Sequence, residues 1–313
     1  MPAVTFVASG MAFLQAGVRP VVAEVDPGNL LLDLAGAEQA LTAKTRALLV
    51  VHLYGQRSPD LSALRAFATR HRLLLIEDCA HRVDLLDDAP PVGDLLCYSF
   101  NAVKELPGGE GGLLWGRDRQ YEAAMRSVSN LGLAADTMQR TASLHHADYD
   151  FASEPGLKLR SSDLCAALVH AAIDSLAGCR QRRREQFHRY DRLLAALAPA
   201  VQPLARGVDD SCLMYVVKVD TAKREHLRAA MAASGIATSV HYPSLARHPL
   251  FGRDMRGAGC SDQDECITTL PTFLELTNDG QQRVADSLSR ALDDIRQNAA
   301  VGIDGDREAV IRA

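Results

Sequence analysis

The sequence has no long apolar run: no stretch approaches the ~20 residues that span a bilayer, so no membrane-spanning helix is expected. The opening residues, MPAVTFVASGMAFLQAGVRP, are apolar but lack a basic segment ahead of the apolar stretch, which argues against a secretory signal. Positive charge is not in excess either. The 34 basic residues face 39 acidic ones, a net charge of −5, whereas a nucleic-acid binder usually shows a basic stripe. Seven cysteines include no CxxC pair, so they read as reduced thiols of a cytoplasmic protein. The ten histidines are scattered, and His145-His146 has no partner at ligand spacing, so no metal site is expected. There is no internal repeat, no low-complexity segment, and no G-x-G-x-x-G after a strand.

What is present is an ordinary globular composition, 47% apolar and 23% charged over 313 residues. That length suits one large domain, or one large and one small. Valine- and leucine-rich runs at 18–26, 46–54, 73–78, 95–100 and 111–116 read as buried strands. In residues 59–72, Pro59 suits a helix start, and Leu61, Leu64, Phe67 and Ala68 share one face. Strand, helix, strand in that rhythm implies an α/β fold, a mostly parallel central sheet with helices packed on it.

Residues 163–197 read as one long helix, or two broken near Gly178. Its basic run RQRRREQFHR (180–189), interleaved with Glu185 and Gln186, reads as a solvated face. Strand (212–220), helix (224–235), strand (236–242) and a closing helix near 279–297 follow. They suggest a smaller α+β domain. The expected division is residues 1–195, residues 196–298, and a loose tail at 299–313.

Open parallel sheets bind ligands beyond the carboxyl ends of their strands. Asp78 closes LLLIED, Ser99 closes LLCYS, and Lys104 follows in the next loop. A structural ion pair is one reading of this amine and carboxylate, and spacing alone favours it. The other is a lysine carrying a Schiff base to pyridoxal phosphate, with the aspartate on the pyridinium nitrogen and a hydroxyl such as Ser99 on the phosphate.

Resemblance shifts that balance. The segments VTFVASGMAFLQAGVRPVVAEVDP, VVHLYGQ, IEDCAH and YSFNAVKELPGGEGG are followed by GLKLRSSDLCAAL, RRREQFHRYDRLL and VHYPSL. In this order, over about residues 2–295, the chain resembles the DegT/StrS family of PLP-dependent nucleotide-sugar aminotransferases. E-D-x-A-[QH], S-F-x-x-x-K and G-E-G-G together make the resemblance specific. It implies the fold type I architecture, with helices on both sheet faces. It also implies glutamate as amino donor, a keto sugar on a nucleotide as acceptor, and a homodimer with shared sites.

By the same resemblance Lys104 is the Schiff-base lysine that also moves the proton, and Asp78 is the partner of the pyridine nitrogen. His81 stands near the ring and its hydroxyl, Ser99 on the phosphate, and Phe6 stacks on the ring. His241 and Tyr242 fall in a segment that shapes the substrate site. Relatives place an asparagine from the partner near GLKLRS; here Arg160 is the residue assigned to that phosphate. The glycines at 108, 109, 111 and 112 give the loop after Lys104 backbone freedom. Relatives also carry a segment before the equivalent of Pro2, with a glycine–threonine turn for the phosphate. This leaves a rival reading open: a non-catalytic homologue or fragment that serves as a subunit or regulator.

Overall fold

Along the run ALLVV, Leu48 and Val50 point to one side and Leu49 and Val51 to the other, and all four are buried. A strand covered on both faces belongs inside a parallel sheet. The computed structural model describes residues 1–83, 91–134, 155–251 and 263–300; His145-His146 and the tail beyond residue 300 lie outside them. The run forms β1 (Ala47–Val51), followed in one four-stranded sheet by β2 (Leu74–Asp78), β3 (Leu95–Ser99) and β4 (Gly112–Gly116). β1, β2 and β3 are parallel, and β4 returns antiparallel along β3, with Ser99 opposite Gly112.

Three helices precede or interleave these strands: α1 (Val7–Gln15), α2 (Leu34–Ala40) and α3 (Leu61–Arg70). Asp33 caps α2 by accepting the Gly36 N–H. On α3 the four residues of the expected face, Leu61, Leu64, Phe67 and Ala68, are all buried, in one cluster with Leu48, Val50 and Leu75. The opposite side of β1 packs with Val4, Val25 and Leu31, and with Val216 and Ile267 from the second sheet.

Residues 18–26 depart from expectation. They are not a strand; Val22 and Ala23 occupy bridge positions, and Ala23 pairs in parallel with Pro2. Val22, Ala23 and Val25 are nonetheless buried. An apolar run reports burial, and here it comes with pairing too short to make a strand: the Ala3 N–H donates to the Ala23 carbonyl and the Ala23 N–H to the Met1 carbonyl, both at 2.8 Å. Residues 236–242 likewise form no strand, with one bridge from Ser239 to Thr269, and of them only Ile236 is buried.

α4 (Gln120–Ser129) follows the first sheet, then α5 (Asp163–Ile173) and α6 (Leu176–Leu194). The break between α5 and α6 falls at Asp174–Ser175, and Gly178 lies inside α6. The Ser175 N–H and hydroxyl both turn back onto the Ala172 carbonyl, at 3.2 and 2.8 Å, so the serine supplies the local interruption. The basic run on α6 is not simply a solvated face. Arg180, Arg183, Gln186 and Phe187 are buried, because positions three and four apart share the inner side of the helix. Arg183 donates to the Leu213 carbonyl at 3.3 Å, and Gln186 to the Phe273 carbonyl at 2.9 Å. Counting charges along the chain does not reveal such partners.

The second sheet is antiparallel: β5 (Val201–Pro203), β6 (Tyr215–Val219) and β7 (Ile267–Leu270), in that order. Three-residue β5 is too short to show in the sequence pattern. α7 (Arg224–Ala233) and α8 (Asn278–Ala300) cover this sheet through Leu227, Met231 and Leu288. Among the described residues no helix is long and apolar enough to cross a membrane.

Candidate functional site

Three neighbouring strands deliver polar residues to one edge. β1 runs on to His52 and Tyr54, β2 ends in Asp78 and leads to His81, and β3 ends in Ser99 and leads to Lys104. Asp78 is held from two sides: Oδ2 accepts the Ser9 hydroxyl at 2.7 Å, and Oδ1 accepts the Ala80 N–H at 3.0 Å. Ser9 comes from α1, and its Oγ lies 3.1 Å from Thr5 Oγ1. Lys104 is half-buried, and its amine makes no ion pair among the described residues. Burial pulls its pKa below the ordinary lysine value, and the Asp78 charge opposes this in part. The two groups feel each other without closing on each other, which is not the ion pair that spacing alone favoured.

His81 is buried, and its protonation is legible from its bonds. Nδ1 accepts the Tyr54 N–H at 3.1 Å, so in the neutral ring the proton sits on Nε2, 3.2 Å from the Tyr242 hydroxyl. Burial first, then the charges of Lys104 and His241, lower its pKa from 6.5 to about 3. It is therefore a neutral donor at working pH. Burial and the nearby Asp78 carboxylate push the Tyr242 hydroxyl up to about 12. His241 also titrates below its usual value, through burial and Lys104, and its Nδ1 lies 2.9 Å from Thr269 Oγ1 on β7.

Tyr54 has positive φ (64°), a conformation uncommon outside glycine. Four contacts hold it: its N–H goes to His81, its carbonyl receives the Leu213 and Met214 N–H groups at 3.1 and 3.3 Å, and its hydroxyl bonds the His241 carbonyl. Phe6 caps α1 with its ring half exposed, 5.4 Å from the Tyr242 ring. Ser99 Oγ accepts the Asn101 N–H at 3.4 Å, a long bond that leaves the hydroxyl available. In the loop after Lys104, Gly109 and Gly111 have positive φ. Gly108 and Gly112 are needed for space instead: a Cβ would meet Val169 at 2.6 Å and the Tyr98 carbonyl at 2.5 Å.

The structure thus gathers Lys104, Asp78, His81, His241 and Tyr242 electrostatically, with Phe6 against Tyr242 and Ser99 at the adjoining strand end. Arg160 is not brought in: it is exposed, just ahead of the Ser162 cap of α5, and bonds to none of these groups among the described residues. Sequence reasoning missed Ser9, Thr5 and Tyr54. All three lie in motif segments already singled out, but no spacing rule shows that Ser9 reaches Asp78 across 69 positions.

One further group, His52, Glu77 and Cys79, has ligand atoms within 4.8 Å of one another. Its lone pairs are already engaged. Glu77 Oε2 meets His52 Nε2 at 2.7 Å, Oε1 accepts the Val92 and Gly93 N–H groups, and His52 Nδ1 accepts the Ser58 N–H. Burial raises the Glu77 pKa, but the His52 and backbone hydrogen bonds outweigh it and leave the carboxyl below its ordinary value. His52 and Glu77 thus brace the strand ends with the bonds they already make.

Comparison with known proteins gives a consistent picture. The model of the DegT/DnrJ/EryC1/StrS aminotransferase family matches residues 1–289. A dTDP-4-dehydro-2,3,6-trideoxy-D-glucose 4-aminotransferase of Saccharopolyspora spinosa is 30% identical over 94% of this chain and 77% of its own. A UDP-N-acetyl-3-dehydro-alpha-D-glucosamine 3-aminotransferase of Acidithiobacillus ferrooxidans is 27% identical, over 93% and 77%. Among solved structures, DesI with its TDP-sugar product superposes with a TM-score of 0.83 at 26% identity, over 97% of this chain and 77% of that one.

Proposed function

The chain belongs to the DegT/DnrJ/EryC1/StrS aminotransferase family, and from that premise we propose that it moves an amino group from glutamate to a keto group on a nucleotide-linked sugar, in amino-sugar biosynthesis. It is a pyridoxal-phosphate-dependent enzyme of the fold type I architecture. The cofactor, when bound, supplies an aldehyde that takes up the amino group and a ring that draws electrons from the substrate carbon.

The donor set at the sheet edge fits that group. The observation that carries the reading is a half-buried amine, Lys104, without an ion pair among the described residues and with a lowered pKa, beside a carboxylate fixed in place by Ser9 and Ala80. In this reading Lys104 holds the cofactor and, as a base tuned toward working pH, moves the proton at the substrate carbon. Asp78 keeps the ring nitrogen protonated. Its orientation is set before any ligand arrives, because both carboxylate oxygens already accept bonds. His81, neutral with its proton on Nε2, stands beside the ring hydroxyl, and Phe6 offers its exposed face for stacking. Ser99 takes the phosphate, while His241 and Tyr242 line the sugar side.

Arg160 meets none of the site groups among the described residues of one chain, so its assignment rests on a second copy. α5 supports a homodimer: it is apolar, yet none of its residues is buried, with Leu164 80% and Leu168 57% exposed. Apolar surface on this scale marks an interface. The cytoplasm is the compartment that suits this chemistry and six free thiols among the described residues.

The test is the visible absorbance of purified protein titrated with pyridoxal phosphate. A protein-bound band should appear in the wild type, vanish in Lys104→Ala, and be bleached by glutamate. A band that survives Lys104→Ala would remove the lysine from its role, and a wild type that takes up no cofactor would favour the non-catalytic reading.

A further inference from the structure

The residue after Lys104 is a buried glutamate. Glu105, 7% exposed, accepts the Val83 N–H on Oε2 at 2.8 Å. It is also paired with Arg180 of α6, 4% exposed, whose guanidinium reaches both carboxylate oxygens, Oε2 at 3.2 Å, and the Val83 carbonyl. The pair therefore takes both backbone polar groups of Val83, two residues after His81. Val83 itself belongs to a small apolar cluster with Leu106 and Leu176, against which Phe100 and Ala172 pack.

Stability alone does not account for this arrangement. Removing two charges from water costs several kcal/mol per ion, and apolar residues of similar volume often serve as well or better. What an apolar pair would lack is direction. Two charged forks with fixed geometry join three segments at defined distances: the loop that carries His81, the loop that carries Lys104, and α6.

We propose that the Glu105–Arg180 pair is a positioning device that sets the placement of Lys104 relative to His81 across the cofactor site. The inference rests on the reading of Lys104 as the cofactor amine. The amine itself has no partner to hold it among the described residues, and its backbone N–H bonds only the nearby Asn101 carbonyl, at 2.9 Å. The rigid link one residue later supplies the constraint, and catalytic rates are sensitive to it: displacement by about 1 Å can cost roughly a hundredfold.

Two variants test this. In Glu105→Leu/Arg180→Met the charges leave together and the volume is nearly kept, but the Val83 N–H and carbonyl lose their partners, so the thermal midpoint of the cofactor-free protein should fall by a few degrees while the chain still folds. Its kcat should nevertheless fall roughly 10–100-fold, with KM for the sugar nucleotide little changed. The pH midpoint of the visible band in the cofactor-loaded protein should move upward, as Lys104 regains water. Arg180→Lys keeps one charge-assisted bond but cannot span both carboxylate oxygens and the Val83 carbonyl, so it should shift the midpoint the same way by a smaller amount. A stable double variant with wild-type kcat and midpoint overturns the positioning role and leaves the function intact. So does an unchanged midpoint in Arg180→Lys, should the double variant not fold. A wild type that shows no band with pyridoxal phosphate overturns both.

Discussion

His81→Gln isolates the proton linkage of the site. Glutamine reproduces both bonds of the neutral ring, accepting from the Tyr54 N–H and donating to the Tyr242 hydroxyl, but it does not titrate. In the folded chain His81 takes a proton only near pH 3, whereas in the unfolded chain it does so near its ordinary value of 6.5. Between those values the unfolded state binds one proton more, so stability falls as pH falls. It is fully present above about pH 7 and lost at about 1.4 kcal/mol per unit through the window. From pH 7 to pH 5 the loss through this one residue is about 2 kcal/mol. That figure depends on the unfolded value alone as long as the folded one lies well below 5. Urea unfolding of the cofactor-free protein at both pH values, at one protein concentration and with m unchanged, gives the comparison. The wild type should lose about 2 kcal/mol more than His81→Gln over that interval. Equal losses in the two proteins would show that His81 is protonated in the folded state, and the assignment of its Nε2 as sole proton carrier would fall with it.

Two other outcomes follow from packing. Leu64→Ala, at a fully buried position between α3 and the sheet, should destabilise by about 2–5 kcal/mol through the cavity it leaves, read from the urea midpoint. Leu164→Asp/Leu168→Asp on α5 should convert the proposed dimer to monomer in light scattering without changing the far-ultraviolet circular dichroism; an unchanged dimer mass would move the interface elsewhere, and a monomeric wild type would remove it.

The parts of the fold that the sequence made legible are those where one local pattern has one cause. The 61, 64, 67, 68 spacing has no other use than a helix face, and the unbroken apolar run of β1 none other than two-sided burial. Asp78, Ser99 and Lys104 could be found because they follow strand ends, where an open sheet must expose polar groups. Runs 18–26 and 236–242 were misread since apolar content is silent on how far a neighbouring segment pairs. Arg182 and Arg184 of α6 are exposed as read, but Arg180 and Arg183 were misread for the complementary reason: Arg180 is buried because Glu105 lies 75 positions earlier in the chain, and Arg183 because of the Leu213 carbonyl. Ser9 and Tyr54 act through distant partners, so only folded geometry reveals them.

The four-way hold on Tyr54 also limits how the molecule can breathe. Any hinge swing of the antiparallel sheet away from the parallel one must part Tyr54 from Leu213, Met214 and His241, three bonds worth together about 3 kcal/mol. Such a swing would pull on His81 through the same residue. At that cost the swung-open form is populated less than about 1% of the time, so the resting molecule keeps its two sheets in register.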